Sequence, residues 1–531
     1  MTMMKPSETN HETETRQTPP ALEPLSFEQS SSGRQGVTLP GTGLKDCRPI
    51  TDLIPATALR QKQSRLPEMS QLDAVRHFTR LSQLNHSIDT GFYPLGSCTM
   101  KYNPKICDVA AQTAGLTRLH PMTPDRLSQG TLSVMYRLQQ ILADITGFDR
   151  VTLQPAAGAH GELVGMMMIR AYFVERGEIT LDAKGKPSGR IQVIVPDSAH
   201  GTNPATAAMC GFDVVEVKSD PHTGTVDIEK LKTLVSDKTA AMMLTNPNTL
   251  GLFERDILEI TRIIHEAGGL MYYDGANLNA ILGHAKPAHM GFDVMHINTH
   301  KTFATPHGGG GPGSGPVAVN EKLVPYLPAP VCEFDGEQYY LDYDRPQSVG
   351  RVKVFHGNVE MWTRALTYIL AYGHEGLRQV STDAVLNANY LKARLSEAYE
   401  VAFDAVCKHE FIITPKRQQA LDSHLNTMAI AKRLMDYGIH PMTVYFPLIV
   451  PEAMMIEPTE TESKATLDRF VDVMLTIARE CETQAQTVID APHTTPIRRV
   501  DEVSAARNPD LNYFSNESLP PGRPASPNCC G

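Results

Sequence analysis

The chain has 531 residues, more than one hydrophobic core usually supports, so two or more domains are expected. Apolar residues at 41% and charged residues at 20% describe an ordinary globular protein, and a net charge of -10 argues against a nucleic-acid surface. No apolar run reaches the ~18 residues of a membrane span, and nine scattered cysteines lack the spacing of a disulfide framework or zinc site. The cytoplasm is therefore the expected location, with neither nucleic acid nor membrane as partner.

Residues 1–40 are polar and hold no apolar stretch of signal-peptide length, so a disordered tail is expected there. LPEMSQLDAVRHFTRLSQLN (66–85) reads as an amphipathic helix with Leu72, Val75, Phe78 and Leu81 on one face. The loop GFYPLGSCTMKYNPK follows, within a helical and loop segment over 41–149. Over 150–349 the strands VTLQP, RIQVIVP, FDVVEVK, AAMMLTNPN, LMYYDGAN and FDVMHINTHK alternate with helices such as ELVGMMMIRAYFVERG and ERDILEITRIIHEAGG. That alternation predicts an α/β domain with a parallel or mixed sheet covered on both faces, whose ligands gather at the carboxyl ends of the strands. A smaller α+β domain is expected over 350–490, with FIITP and TVYFPLIV as strands, and an extended tail over 491–531.

Chemistry-bearing residues stand at those strand ends. AAGAHGE places small residues where a strand enters a helix, either as a tight turn or as a helix N-terminus open to an anion. DSAHGTNPA puts His200 at a loop tip, as a structural or a functional histidine. Asp274 follows a buried strand, where it either needs a cationic partner to stay ionised or caps the next helix. Lys301 stands just past a strand, 27 residues after Asp274. Together they supply what pyridoxal phosphate requires: a lysine for its aldehyde, a carboxylate for its ring nitrogen, a flat group against its ring and a helix N-terminus for its phosphate. A P-loop would place its glycines before the Lys-Thr pair, whereas HKTFATPHGGGG places them after it. His296, His300 and His307 have no carboxylate or cysteine nearby at ligand spacing, so no metal site is expected.

The motifs NTHKTFATPHGGGGPGSGP, DSAHGTNPATAAM, LQPAAGAHGE, YYDGANLNA and YPLGSCTMKYNPK resemble the glycine dehydrogenase (decarboxylating) family, the P-protein of the glycine cleavage system. The resemblance runs from about 40 to 512, and the chain's length matches the half-size β subunit of the split form, subunit 2. It implies an aspartate-aminotransferase-like fold with bound pyridoxal 5'-phosphate. It also implies glycine as substrate, a lipoyl-bearing H-protein as acceptor of the aminomethyl group, and an α subunit in an α2β2 assembly. Carried over, Lys301 is the cofactor lysine, Asp274 the ring-nitrogen partner, His200 the stacking histidine, and Gly158, Ala159 and His160 the phosphate turn. His200 or His300 would move protons. His160 stands where other members often carry glutamine, and Thr299 where they carry leucine. Ser97 and Thr99 are expected on the substrate side, and the glycine run 308–311 is expected to leave room for the lipoyl arm. The rivals are another pyridoxal phosphate aminotransferase or decarboxylase, and a non-catalytic subunit of the same complex.

Overall fold

The computed structural model describes residues 22–41, 43, 48–59, 66–308 and 313–511. These divide into two compact units: residues 91–490, and residues 22–90 with 491–511. The calls on residues 1–21, on Gly309, Gly310 and Gly311 and on the terminal cysteines lie outside the described residues.

In the smaller unit, helix α1 (Gln71–Leu84) starts where the Ser70 hydroxyl accepts the Asp73 N–H, a side-chain cap on an otherwise orphaned donor. Its apolar face does not turn inward: Leu72, Val75 and Phe78 are 55, 56 and 66% exposed. The helix buries its other side, where His77 Nδ1 and Arg80 Nε reach Glu23 at 3.0 and 2.6 Å. Part of the segment assigned to the N-terminal tail is thereby held by charge rather than by apolar packing. A short helix, Glu502–Arg507, occupies sequence expected to be extended.

The larger unit is organised by a seven-stranded sheet. Its strands are β1 (Arg150–Thr152), β2 (Gln192–Pro196), β3 (Asp213–Val217), β4 (Thr239–Leu244), β5 (Leu270–Gly275), β6 (Val294–Ile297) and β7 (Val317–Val319), in the order β1-β7-β6-β5-β4-β2-β3. Strands β2 to β6 pair in parallel, while β7 runs antiparallel to both β6 and β1. Two reversals return β1 to the direction of β6, so its carboxyl end opens on the same edge as theirs. Side chains alternate between two cores: in β5, Met271 and Tyr273 face one, and Leu270 and Tyr272 the other.

Helix α2 (Gln129–Thr146) sends Leu138 and Leu142 into the first core, and α3 (Gly158–Glu175) sends Val164, Met168 and Phe173 into the second. Gly165 brings α3 close to the sheet, since a Cβ there would fall 2.5 Å from Tyr272 Cε2. Helix α4 (Thr202–Met209) follows β2, α5 (Ile228–Leu234) follows β3, and α6 (Ile257–Glu266) buries Ile257, Ile260 and Ile264. The single turn α7 (Thr299–Thr302) follows β6.

Helix α8 (Val359–Leu395), broken at Gly373 where φ is 62°, leads to a four-stranded antiparallel sheet with its own core, backed by α9 (Thr427–Asp436) and α10 (Lys464–Thr483). Its strands, β8 (Glu400–Val401), β9 (Phe411–Thr414), β10 (Thr443–Val444) and β11 (Met454–Ile456), lie in the order β8-β9-β11-β10. TVYFPLIV was expected to be one strand, yet only its first two residues pair. Pro447 has no N–H to give a ladder, and the three-residue β11 takes the place beside β9.

Candidate active site

The carboxyl edge of the large sheet surrounds a cavity of about 320 Å3, within the ~300–1,000 Å3 typical of small-molecule sites. Each wall follows a different strand: Gly158 and Ala159 after β1, His200 after β2, Thr245 after β4, Asp274 in β5 and Lys301 after β6. Lys301, on the one-turn helix α7, makes no ion pair or side-chain hydrogen bond among the described residues.

Asp274 owes its surroundings to register. It pairs directly with His296 across β5 and β6, and the His296 Nε2 to Asp274 Oδ1 distance is 3.3 Å. The other ring nitrogen meets the Tyr272 hydroxyl at 2.9 Å. Asn203 Nδ2 donates to Asp274 Oδ2 at 3.0 Å, and the Ala276 N–H donates to Oδ1 at 3.1 Å. Burial alone would push this carboxyl up. His296, the Asn203 hydrogen bond and the Lys301 charge outweigh it and hold Asp274 below its ordinary range; burial lowers His296 in turn, so its ring acts beside Asp274 chiefly as a hydrogen-bonding neighbour. A carboxylate kept ionised at the floor of an apolar sheet suits a protonated ring nitrogen.

Glu162, on α3, stands behind this group and takes the other Asn203 hydrogen bond at 2.7 Å. Burial first, and then the Asp274 charge, push the Glu162 carboxyl up to about 7. Of this pair of acids, Asp274 carries the charge.

His200 Nδ1 lies 2.9 Å from the Thr202 hydroxyl, and its ring meets Phe446 edge-on at 5.7 Å. Desolvation in the cavity lowers its pKa, Asp274 opposes this, and Lys301 adds to the lowering. His300 also lines the cavity. Burial, followed by the neighbouring His307 and Lys301, brings its pKa down to about 3. His160 turns away: its Nδ1 accepts the Ala156 N–H at 3.1 Å, and it does not line the cavity. Thr299 is fully buried, its hydroxyl 3.1 Å from that of Thr305. Ser97 lines the cavity, whereas Thr99 is held behind it by Glu457; both carry positive φ, at 65° and 51°. Such left-handed backbone is costly for residues other than glycine and collects at functional sites.

The site fits a pyridoxal-phosphate-type group on three observations. Thr245 Oγ1 and Asn298 Oδ1, both on the cavity wall, are buried without a partner among the described residues. The 18-residue helix α3 begins without a side-chain cap, so its first N–H groups and its dipole are free for an anion. Gly158 leaves no room for a side chain, because a Cβ would fall 1.9 Å from Asn298 Oδ1.

Sequence reasoning did not single out Asn203 or Glu162 and left His296 as a residue of the sheet. The first two lie inside the motifs around His200 and Gly158, but only the fold turns them toward Asp274. His409 and Glu410 also line the cavity from beside β9, more than a hundred residues after Lys301, and no local pattern marks them.

This sheet, its smaller companion and a lysine past β6 define the aspartate-aminotransferase-like fold of pyridoxal phosphate enzymes. A solved glycine decarboxylase (P-protein) of the glycine cleavage system, in inhibitor-bound form, superposes with a TM-score of 0.66 at 20% identity, over 81% of this chain and 94% of that one. The cysteine desulfurase CsdA from Escherichia coli superposes at 0.55 and 15% identity, over 76% of this chain and 98% of its own. The sequence carries the assignment further. Residues 30–333 match the glycine cleavage system P-protein model, and residues 380–499 match the glycine dehydrogenase C-terminal domain. Proteins named probable glycine dehydrogenase (decarboxylating) subunit 2 are similar over almost the whole chain. That of Caldanaerobacter subterraneus subsp. tengcongensis is 54% identical over 92% of this chain and 98% of its own, and that of Exiguobacterium sibiricum is 56% identical over 93% and 98%. The chain belongs to the glycine cleavage system P-protein family, among its subunit 2 members.

Proposed function

We propose that this chain is the cofactor-bearing subunit of a glycine dehydrogenase that decarboxylates glycine and passes the aminomethyl group to the lipoyl arm of an H-protein. The observation that carries this reading is Lys301, without an ion pair among the described residues, in a cavity whose floor is a carboxylate kept ionised beside His296 and Asn203. When bound, pyridoxal phosphate supplies the electron sink for the pair that departing carbon dioxide leaves behind. Lys301 would hold it covalently, and Asp274 would keep its ring nitrogen protonated. Gly158 and Ala159 would offer N–H groups to its phosphate, and His200 would flank the ring. With its pKa near 3, His300 is neutral at physiological pH and a poor proton acceptor.

An α subunit completing an α2β2 assembly is part of the proposal. It is supported by the subunit 2 naming of the relatives and by the uncovered face of α1. Among the described residues no helix is long and apolar enough to cross a membrane, and six cysteines are free; a cytoplasmic location is consistent with both. Borohydride reduction of the cofactor-loaded chain should trap the cofactor on Lys301, and the complex should exchange labelled bicarbonate into glycine in an H-protein-dependent manner. A colourless chain with no adduct refutes the assignment. An adduct without exchange points to a different pyridoxal phosphate reaction.

A further inference from the structure

One wall of the cavity is formed by His409 and Glu410, which lead into β9 of the small sheet, and Glu410 brings a carboxyl group to it. The register Phe411↔Ile456 between β9 and β11, continued by one residue, sets Glu410 beside Glu457. Glu457 accepts from the Thr99 N–H at 3.1 Å, the Thr99 hydroxyl at 2.6 Å and Asn277 Nδ2 at 3.0 Å. Glu410 accepts only the Ser97 N–H, on Oε2 at 2.7 Å. Its Oε1 lies 3.8 Å from His409 Nε2 and has no hydrogen-bond partner among the described residues. Two buried carboxyl groups side by side repel when both are charged, which favours the protonated form of the one with fewer hydrogen bonds, Glu410. Burial and Glu457 accordingly push Glu410 up to about 8, against the Ser97 hydrogen bond and Lys301. The titratable groups facing Glu410 are Glu457 just past β11, His409 from the adjoining residue before β9, Lys301 from α7 and Cys98 from the loop before α2. Burial holds His409 in its neutral form.

This wall is notable for the cation it lacks. Among the described residues lining the cavity, Lys301 is the only lysine or arginine, and the proposed function commits it to the cofactor. An amino-acid carboxylate is ordinarily gripped by arginine, in a bidentate charged pair. In decarboxylation that carboxylate loses its charge on the way to carbon dioxide. A full cation would therefore stabilise the reactant more than the transition state and slow the step. A neutral donor orients the group without holding its charge in place.

We propose that Glu410, in its protonated form, is the donor that receives the carboxylate of the amino-acid substrate. The inference rests on the decarboxylase reading and deepens it: the site selects a carboxylate that must leave, and recognises it with an acid. The carboxyl proton stays on Glu410 throughout, and no bond to it forms or breaks.

The test uses the cofactor-loaded complex and two probes, glycine and methylamine, which differ by the carboxylate. Binding is read from the change in cofactor absorbance between pH 6.5 and 9.5. In the wild type, the ratio of glycine to methylamine affinity should fall about tenfold per pH unit above pH ~8, as Glu410 ionises. Glu410→Gln keeps an N–H donor and should hold that ratio within about threefold of wild type at pH 7 while abolishing its fall at high pH. Glu410→Ala should weaken glycine about 10- to 100-fold and leave methylamine unchanged, the scale of a lost hydrogen bond to a charged group. Equal loss of both probes in Glu410→Ala overturns the proposal, as does a pH-dependent ratio that survives in Glu410→Gln. A wild type that binds cofactor on Lys301 but shows no response to glycine overturns the decarboxylase reading itself.

Discussion

Glu162 is the most informative perturbation of the cofactor-free chain, because it costs stability while it supports the site. It is 2% exposed, and its pKa stands at about 7 against an ordinary 4.5. A carboxyl raised in the native state keeps a proton that the unfolded chain releases. The penalty is absent below pH 4.5, grows between 4.5 and 7, and is complete above 7. At ~1.36 kcal/mol per pKa unit, the full penalty is about 3 kcal/mol. Glu162→Gln preserves the oxygen that accepts from Asn203 and removes the charge. The variant should match the wild type near pH 4.5 and exceed it by up to about 3 kcal/mol at pH 8. Trp362, the only tryptophan, is fully buried in the core of the large sheet and reports its opening by fluorescence in urea. Parallel stability curves for the two proteins from pH 5 to 8 would refute the reasoning.

Gly158→Ala forces a Cβ toward Asn298 at the phosphate turn and should weaken cofactor affinity by about 10- to 100-fold, the range of an overpacked contact, as read by absorbance titration; unchanged affinity would show that Asn298 yields freely. Lys101→Met strips a buried ion pair, with side chains 1 and 6% exposed, and leaves Glu460 unpaired. It should destabilise the chain by about 3–5 kcal/mol in urea unfolding, with most of the loss recovered by adding Glu460→Leu. His300, neutral in the native state above pH ~3 while an unfolded histidine titrates near 6.5, should contribute no inflection to the activity profile between pH 5 and 8. Its burial should also lower stability as pH falls below about 6.5, so an inflection lost in His300→Asn would contradict this.

Much of the large domain was legible because its signals are local. A buried strand such as LMYYDG, ended by Gly and followed by small polar residues, announces itself, and α6 shows isoleucines on one face at helical spacing. The family motifs likewise lie within single strand-to-loop junctions, which is why Lys301, Asp274, His200 and Gly158 could be named before the fold was known. The uncovered face of α1 and the break in TVYFPLIV were not legible. An amphipathic pattern states that a face is apolar without saying what covers it, and a short strand such as β11 is defined by its neighbour.

By itself, then, the sequence determined the alternating α/β frame and the identity of the groups at its strand ends, since both follow from periodicity and short motifs. Only the tertiary structure decided how those groups are tuned. Register across β5 and β6 sets His296 against Asp274, and register across β9 and β11 sets Glu410 against Glu457. Packing of α3 and α4 on the sheet brings Glu162 and Asn203 behind the same carboxylate. Proton affinity depends on burial and on neighbouring charges a few ångströms away, and those neighbours are set by pairing across strands rather than by spacing along the chain.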